Sequence, residues 1–346
     1  MLFFIGLGVE QSPTLRAVAI MKSCERIFYE SYTSPVIDGD VMQNLTDSTD
    51  RKIEAVSRDF VEDGRKILEP ARSSRVALVS SGDPMIATTH QELRTRALTE
   101  KIETQIVHGS SVLSSVIGEL GLHSYSFGKN VTMTKEPMQH TAYLTIYQNL
   151  LRQLHTLILL EWDESSRFFL SPKDALSSLW EAENDLKYGA ISGDTLILSA
   201  SEIGSDRARM SANFLHEALD SDYGKPPHVL VVPGRLHFTE KESLSALTGK
   251  EPGSLPDNSQ STERIAHRML SKYSQKTLSA LERARAAATA KGKANLESLF
   301  ENVEAYTQDA IRFLNEGKEE LAVLSMGYAE GLLDSLRFSA QLEFEW

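Results

Sequence analysis

Short apolar runs alternate with longer helix-like stretches through the first two thirds of this sequence of 346 residues. Such alternation is typical of α/β folds, in which helices cover a sheet of parallel strands. The predicted strands form two series, separated by a turn-rich stretch at 124–129: residues 2–5, 26–29, 52–56, 76–79 and 104–107, then residues 130–133, 156–161, 195–199 and 228–232. Helices are predicted at 14–23, 61–68, 91–99, 141–154, 172–183 and 207–219. We therefore expect two successive α/β domains, at 1–125 and 126–247.

The sequence changes character after these two series. Residues 248–261 are rich in Gly, Pro and Ser, a composition typical of linkers. Beyond them, Lys291-Gly292-Lys293 and Asn315-Glu316-Gly317 divide a helix-like segment into three predicted helices. Its apolar residues recur at helical spacing and are expected in a core, as in the stripe Leu321, Leu324, Tyr328, Leu332 and Leu336. We expect an independent all-α domain at 262–346, whose role and partner the pattern does not indicate.

Two glycine turns directly follow predicted strands. Gly82-Asp83-Pro84 follows the strand at 76–79, and Gly6-Leu7-Gly8 follows the strand at 2–5. Ligands bind at the carboxyl ends of strands in open α/β sheets, so both turns are candidate site elements, with ordinary strand-to-helix turns as the alternative. Gln11 stands where a dinucleotide fingerprint has its third glycine, and the Gly-Lys-Ser or Gly-Lys-Thr of a phosphate loop is absent. The turns therefore suit a ligand without a diphosphate.

The charge and the cysteine content exclude several classes of protein. The formal net charge is −12, which argues against binding nucleic acid through a basic surface. The single cysteine, Cys24, rules out an intramolecular disulfide and a cysteine-rich metal site, and the nine histidines show no ligand-type spacing, so no metal is expected. No apolar run approaches the roughly 20 residues of a membrane span, and the apolar start is too short for a signal peptide. We expect a cytoplasmic protein without membrane or direct nucleic-acid binding.

Seven motifs in order give the first 248 residues a family resemblance. The motifs are Phe4-Ile5-Gly6-Leu7-Gly8, Tyr32-Thr33-Ser34, Gly82-Asp83-Pro84 with Ala87-Thr88-Thr89-His90, Gly121-Leu122-His123, Phe127-Gly128-Lys129, Leu154-His155-Thr156-Leu157 and Pro226-Pro227-His228-Val229-Leu230-Val231-Val232-Pro233-Gly234. Together they closely resemble the archaeal diphthine synthases of the tetrapyrrole-methylase superfamily. The resemblance implies a homodimer of subunits with two α/β domains of the tetrapyrrole-methylase type, and a ligand cleft between the domains that binds S-adenosylmethionine. The C-terminal helical domain is a departure, because ordinary family members end before it; it looks like a small archaeal domain of unassigned function.

The resemblance also implies which residues contact S-adenosylmethionine. All of them lie at predicted strand ends: Val9, Asp83, Ile86, Ser111, Val112, Leu160, Ile203 and His228. Asp83 would accept a hydrogen bond from a ligand hydroxyl or ammonium, and the apolar members would contact adenine, ribose edge or thioether. At the Ile203 position the sequence departs from the family, because Ser199–Ser201 replaces apolar residues. For His228, beside two prolines, a structural role in the turn is the alternative.

The reaction implied by the resemblance is methylation of an amine. The acceptor would be the 3-carboxy-3-aminopropyl group on a modified histidine of translation elongation factor 2, and the archaeal product carries a trimethylated amine. An amine must lose its proton before it attacks, but the sequence identifies neither the catalytic base nor the number of methyl groups transferred. Candidate acceptor-side groups end an early strand, with a hydrogen-bonded turn as the alternative: Glu30, Tyr32, Thr33 and Ser34.

Three other functions stay open at this stage. Members of the same superfamily methylate corrin precursors, which require a flat apolar pocket, or ribosomal RNA, which requires a basic rim that a net charge of −12 disfavours. The third alternative is a non-catalytic S-adenosylmethionine sensor that signals through the helical domain. Turnover on an acceptor distinguishes the first two from the third.

Overall fold

The computed structural model describes residues 1–35, 41–137, 139–339 and 342–346. The chain divides into two compact units, Met1–Thr262 and Glu263–Trp346. The first unit contains two five-stranded sheets with their helices, and the second unit is helical. Within the described ranges, no helix is both long enough and apolar enough to span a membrane.

The first sheet is entirely parallel and has the strand order β3-β2-β4-β1-β5. Its strands are β1 (Leu2–Gly6), β2 (Arg26–Glu30), β3 (Ile53–Val56), β4 (Val76–Ser80) and β5 (Thr104–Val107). Its helices are α1 (Leu15–Lys22), α2 (Val41–Thr49), α3 (Arg58–Asp63), α4 (Arg65–Ala71), α5 (His90–Thr99) and α6 (Val112–Glu119). Gly6 and Glu30 both lie opposite Ser80, so the carboxyl ends of three neighbouring strands meet at one edge.

Alternate residues of the central strands face two different hydrophobic cores. Phe3 and Ile5 pack with residues of α1 and α2, whereas Leu2 and Phe4 pack with residues of α3, α4 and α5. Successive side chains of a strand point to opposite faces, and both faces of a parallel sheet are covered by helices. Because both faces of these strands are buried, their sequences are nearly continuous apolar runs.

The second sheet is mixed, with the order β11-β10-β12-β7-β6. Its strands are β6 (Val131–Met133), β7 (Thr156–Leu160), β10 (Leu196–Ser201), β11 (Arg209–Phe214) and β12 (His228–Val232); a separate hairpin consists of β8 (Trp162–Asp163) and β9 (Phe168–Phe169). Its helices are α7 (His140–Leu150), α8 (Pro172–Leu186), α9 (Leu215–Ala218) and α10 (Phe238–Thr248). Only the β6–β7 pair is parallel among these described pairings. The expectation of parallel strands therefore holds for the first sheet and not for most of the second.

The helix predicted at 207–219 is wrong over most of its length. Arg209–Phe214 forms the edge strand β11, paired antiparallel with β10, and only Leu215–Ala218 is helical. Ala212 is buried in the core, while the hydroxyl groups of Ser199 and Ser211 share a cross-strand hydrogen bond of 2.7 Å. Sheet pairing outweighed a weak helical pattern here, because the preceding strand β10 pairs with this segment along its whole length.

The segment predicted as a linker at 248–261 is anchored to the second sheet. Leu255 is 1% exposed and belongs to the core of this sheet. The side chain of Asn258 accepts from the backbone N–H of Leu196 at 2.9 Å and donates to the carbonyl groups of Leu196 and Pro233 at 2.9 and 2.8 Å. The position of the domain boundary stays a prediction, but the composition did not indicate that this segment would bind the ends of the neighbouring strands β10 and β12.

The second unit contains α11 (Ile265–Ala290), α12 (Glu297–Asn315) and α13 (Glu319–Phe338). Gly292 and Gly317 adopt positive φ angles of 65° and 72° in the two connections, as the predicted breaks require. The expected core stripe on the last helix is wrong in part, since Leu321, Leu324 and Tyr328 are exposed. The buried face is instead formed by Ala322, Met326, Ala329, Leu333 and Leu336. Alanines allow close helix packing, and a search for leucine spacing overlooks them.

Candidate functional site

A cavity of about 390 Å³ lies where strand ends of the two sheets face each other in the first unit. The first sheet contributes the turns after β1, β2 and β4 and the start of α6, and the second contributes the ends of β7 and β10 and the start of β12. The structure brings together every residue predicted to contact the donor: Val9, Asp83, Ile86, Ser111, Val112, Leu160, Ile203 and His228. Among the acceptor-side candidates, Tyr32, Thr33 and Ser34 line the cavity, and Glu30 does not.

The two glycine turns are joined directly to each other. Gly8 donates to the carbonyl of Gly82 at 3.0 Å, and Gly82 donates to the carbonyl of Gly8 at 2.9 Å. Both residues have positive φ angles, 77° and 65°, which residues other than glycine rarely adopt. This closure exists because β1 and β4 are neighbours in the sheet, and it leaves Asp83 at the cavity wall.

Asp83 is almost completely buried, and its two carboxylate oxygens have different partners. Oδ1 accepts from the backbone N–H of Met85 at 2.9 Å, which fixes the turn. Oδ2 lies 2.7 Å from Nδ1 of His108, whose side chain is mostly exposed. Sequence reasoning missed His108, although it directly follows β5 and so belongs to the same row of strand ends. The arrangement orients Asp83 and leaves one oxygen shared with an exposed imidazole.

Two serines after β5 connect this wall to the first glycine turn. The hydroxyl of Ser110 accepts from the backbone N–H of Val9 at 2.9 Å. Ser111 is the N-cap of α6, where its hydroxyl accepts from Leu113 N–H at 3.2 Å. Serine is a preferred N-cap residue, and its extended conformation places Val112 at the first position of the helix. This capping turn is what brings Ser111 and Val112 to the cavity.

The second sheet closes the opposite side with mainly apolar groups. Leu160 ends β7, and Ile203, only 5% exposed, also packs in the core of the second sheet. His228 begins β12 opposite Ser201, and its Nε2 lies 3.3 Å from the carbonyl of Gly224. Burial lowers the pKa of His228, which favours a neutral ring that donates from Nε2. This side of the cavity is therefore mainly apolar, with His228 as one of its few polar groups.

A wall of hydroxyl groups lies between the turns that follow β2 and β4. The hydroxyl groups of Tyr32 and Thr89 share a hydrogen bond of 3.3 Å, and those of Thr33 and Thr88 share one of 3.1 Å. All four residues line the cavity. Burial raises the pKa of Tyr32 to about 12, so its phenol stays protonated near neutral pH. We call these four residues the hydroxyl wall.

The short β8–β9 hairpin connects the two halves of the first unit beside the hydroxyl wall. The rings of Trp162 and Phe169 stack with centroids 4.2 Å apart, and both side chains line the cavity. Trp162 Nε1 donates to the carbonyl of Ser31 at 3.2 Å, and the Ser31 hydroxyl donates to Glu164. Sequence reasoning missed this hairpin, because its strands are two residues each and give no alternating pattern. It adds an aromatic surface to the site.

The described residues also limit which groups could act as metal ligands. Among them, no three His, Cys, Asp or Glu side chains are grouped so that they could hold a metal ion. The only carboxylates on the cavity wall, within the described ranges, are Asp83 and Glu161. Glu161 accepts from the backbone N–H of Lys135 at 2.6 Å. The site therefore consists of a shaped cavity with hydroxyl groups and two carboxylates, each of which already accepts a hydrogen bond from the protein.

Comparison with known proteins gives two family matches along the chain. Residues 1–199 match the family described as tetrapyrrole (corrin/porphyrin) methylases. Residues 272–342 match a family described as a protein of unknown function, DUF357. The two matches fall on the first and the second compact unit, respectively.

Individual relatives are similar to the first unit and nearly complete in their own length. Diphthine synthase from Methanosphaera stadtmanae is 33% identical over 262 residues, covering 74% of this chain and 99% of the relative. Diphthine synthase from Methanocaldococcus jannaschii is 34% identical, covering 71% of this chain and 98% of the relative. A crystal structure of a putative diphthine synthase from Entamoeba histolytica superimposes with a TM-score of 0.64 at 27% identity, covering 72% of this chain and 99% of that protein.

Proposed function

From the premise that this chain belongs to the tetrapyrrole (corrin/porphyrin) methylase family, we propose that it is a diphthine synthase. The protein is an S-adenosylmethionine-dependent methyltransferase of diphthamide biosynthesis, as its curated relatives with 33–35% identity are diphthine synthases. The structural observation that supports this function best is the convergence of eight strand-end residues on one cavity. The ligand, the acceptor and the roles of these residues belong to the proposal.

The donor proposed for this cavity is S-adenosylmethionine, which supplies a methyl group already activated on a sulfonium sulfur. A volume of about 390 Å³ falls within the range of small-molecule sites. Val9, Ile86 and Leu160 provide apolar contact, and Asp83 accepts a hydrogen bond from a hydroxyl or ammonium group of the donor. The chain's own task is to bind and orient the donor against the acceptor, which accounts for most of the catalysis in a direct displacement.

The acceptor proposed is the amine of the 3-carboxy-3-aminopropyl group on the modified histidine of elongation factor 2. The hydroxyl wall and the Trp162–Phe169 stack form the part of the cavity that the donor contacts do not use. Hydroxyl groups can orient the acceptor's amine and carboxylate, and an aromatic surface suits its methylated, cationic product. We also expect a homodimer and a cytoplasmic site of action, where translation factors work.

Mass spectrometry of elongation factor 2 tests the function directly. We expect factor that carries the aminocarboxypropyl histidine to gain methyl mass when incubated with this protein and S-adenosylmethionine, and unmodified factor to gain none. Methylation of a corrin precursor instead would support another activity of the same family. Binding of S-adenosylmethionine without turnover on either acceptor would support a sensor. The number of methyl groups gained gives the extent of methylation.

A further inference from the structure

A second acid–imidazole pair, distinct from Asp83 and His108, lies buried behind the hydroxyl wall. Glu30 is the last residue of β2, and His90 is the first residue of α5. Both side chains are fully buried, and neither lines the cavity. Oε1 of Glu30 lies 3.5 Å from Nε2 of His90, and neither atom has a hydrogen-bond partner. Buried polar atoms without a hydrogen-bond partner are rare in protein interiors, so two such atoms facing each other require an explanation.

The remaining contacts of the pair fix where its protons lie. Nδ1 of His90 is 2.9 Å from the carbonyl oxygen of Pro84, which only accepts, so Nδ1 carries a proton. In a neutral ring, Nε2 is then a lone pair directed at Glu30. Oε2 of Glu30 accepts from the backbone N–H of Thr33 at 3.0 Å, which leaves Oε1 as the oxygen that can be protonated. A contraction of roughly 0.3 Å or more would complete a hydrogen bond from Oε1–H to Nε2.

The surroundings favour this neutral arrangement over an ion pair. Burial raises the pKa of Glu30 to about 7 and lowers the pKa of His90 to about 4. The negative charge of Glu164 adds to the rise at Glu30. The rings of Phe4 and Tyr32 lie against His90 with centroids 6.2 Å from its own, and the phenol of Tyr32 is uncharged near neutral pH. The neighbours that act on the pKa of Glu30, namely Tyr32, Thr33 and Glu164, carry no positive charge, and Arg58 acts on Tyr32.

We propose that Glu30 and His90 share one proton and act as a positioning pair that holds the hydroxyl wall in place. Glu30 fixes the turn after β2 through Thr33 N–H, and His90 fixes the turn after β4 through the Pro84 carbonyl. The Thr33–Thr88 and Tyr32–Thr89 hydrogen bonds span these same two turns. The pair therefore joins two loops from behind, while the hydroxyl wall joins them at the cavity surface.

This inference rests on the proposed function for its consequence, since the wall faces the space assigned to the acceptor. When Glu30 loses its proton, the hydrogen bond to His90 is lost and a buried charge is left without a partner. We expect the wall to loosen and the methylation rate to fall on the alkaline side of neutrality. A Glu30 that acted as the general base would give the opposite result, because it would be active only when ionised.

Glu30→Gln is the test, because glutamine reproduces the protonated acid. Its oxygen accepts from Thr33 N–H, and its amide donates to His90 Nε2. We compare the melting temperatures of the full-length variant and the full-length wild type. We expect the difference, variant minus wild type, to become more positive as the pH is raised from 5.5 to 8.5. We expect kcat/KM to stay within threefold of wild type at pH 6.5 and to lose the alkaline decline. Destabilisation at every pH, or a loss of kcat above 100-fold, would overturn the proposal.

Nitrogen-15 NMR of the wild-type imidazoles provides a second readout that needs no substrate. We expect His90, assigned by comparison with His90→Gln, to be a neutral Nδ1–H tautomer from pH 5 to pH 8. A His90 ring that is protonated at pH 7 would contradict the shared proton. The melting and NMR readouts do not use an acceptor, so absent methylation with the expected titration would count against diphthine synthase activity and not against the pair.

Discussion

The first unit contains two buried glutamate–histidine pairs that have the same composition, yet the pKa values of their glutamates shift in opposite directions. Glu30 and His90 lie 3.5 Å apart in the first half, and Glu240 and His155 lie 3.2 Å apart in the second; all four side chains are fully buried. Yet the pKa of Glu30 is raised to about 7, whereas the pKa of Glu240 is lowered to about 2. The comparison shows that burial alone does not decide whether an acid is ionised.

The balance between burial and hydrogen bonding at each carboxyl group accounts for the difference. Burial would raise the pKa of Glu240, but its oxygens accept from His155 Nε2 and from the backbone N–H groups of His123 and His237, at 3.2, 2.7 and 2.7 Å. Gly234 N–H donates to His155 Nδ1 at 2.9 Å, so the histidine carries its proton on the side of Glu240. At Glu30, burial and the negative charge of Glu164 outweigh the hydrogen bonds from Thr33 and from the Tyr32 backbone. In the Glu240–His155 pair, both carboxylate oxygens accept hydrogen bonds, and we call this pair the complete anchor. In the Glu30–His90 pair, Glu30 Oε1 and His90 Nε2 have no hydrogen-bond partner.

Glu240→Gln should break the complete anchor and produce the largest effect. The amide would place N–H groups against donors that now share a carboxylate, so we expect a loss of about 3 kcal/mol or more in the free energy of unfolding at pH 7. Urea denaturation measures it. Glu30→Gln is the matched control, with the opposite sign expected at pH 8. Equal destabilisation by both substitutions would abolish the distinction between the pairs.

The same contrast predicts opposite pH dependences of stability. The folded pKa of Glu240 is below its ordinary value of 4.5, so its contribution is present above that value and is lost as pH falls toward about 2. The folded pKa of Glu30 is above 4.5, so stability is present below that value and is lost as pH rises through about 7. Each shift corresponds to about 3 kcal/mol at its limit.

Asn258→Ala extends the comparison to a neutral anchor in the second half. Its amide satisfies one backbone N–H and two carbonyl groups at the ends of β10 and β12 in the second sheet. Alanine would leave these buried groups without partners, and we expect a loss of about 2 kcal/mol in the free energy of unfolding. Asn258→Asp is the informative control, since it keeps the acceptor for Leu196 N–H and loses both donors. A wild-type stability for Asn258→Ala would show that water replaces the side chain.

Asp83→Ala tests an acid–histidine contact that is open to solvent on its histidine side. If Asp83 binds the donor, its removal should weaken S-adenosylmethionine affinity by about 1–3 kcal/mol, measured by calorimetry, with little effect on folding. His108→Ala separates the two roles of the carboxylate, because it frees Oδ2 and keeps the Met85 N–H contact. Unchanged affinity in a folded Asp83→Ala variant would remove Asp83 from the donor site.

The sequence predicted those parts of the site that depend on local signals. The residues around Asp83 and Ser111 follow strands directly, and a strand end is recognisable from an apolar run and the turn or cap after it. The Glu30–His90 pair was not predicted, because it joins two turns through the order of the sheet. β11 and the exposed side of α13 were missed for a different reason: pairing with the neighbouring strand β10 and close packing of alanines leave no distinctive apolar pattern in the sequence.

The smallest expected effect concerns removal of the second compact unit. Every residue that lines the cavity, and both glutamate–histidine pairs, belong to the first unit. A chain ending at Thr262 should therefore bind S-adenosylmethionine within about twofold of the full-length affinity, a difference of about 0.4 kcal/mol. A chain ending at Gly249 is the contrasting variant, because it also lacks Leu255 and Asn258, and we expect it to be less stable or to aggregate. Calorimetry and size-exclusion chromatography of the two truncated proteins separate the effects. Loss of donor binding or of a folded state on truncation at Thr262 would show that the anchors of the first unit are insufficient by themselves.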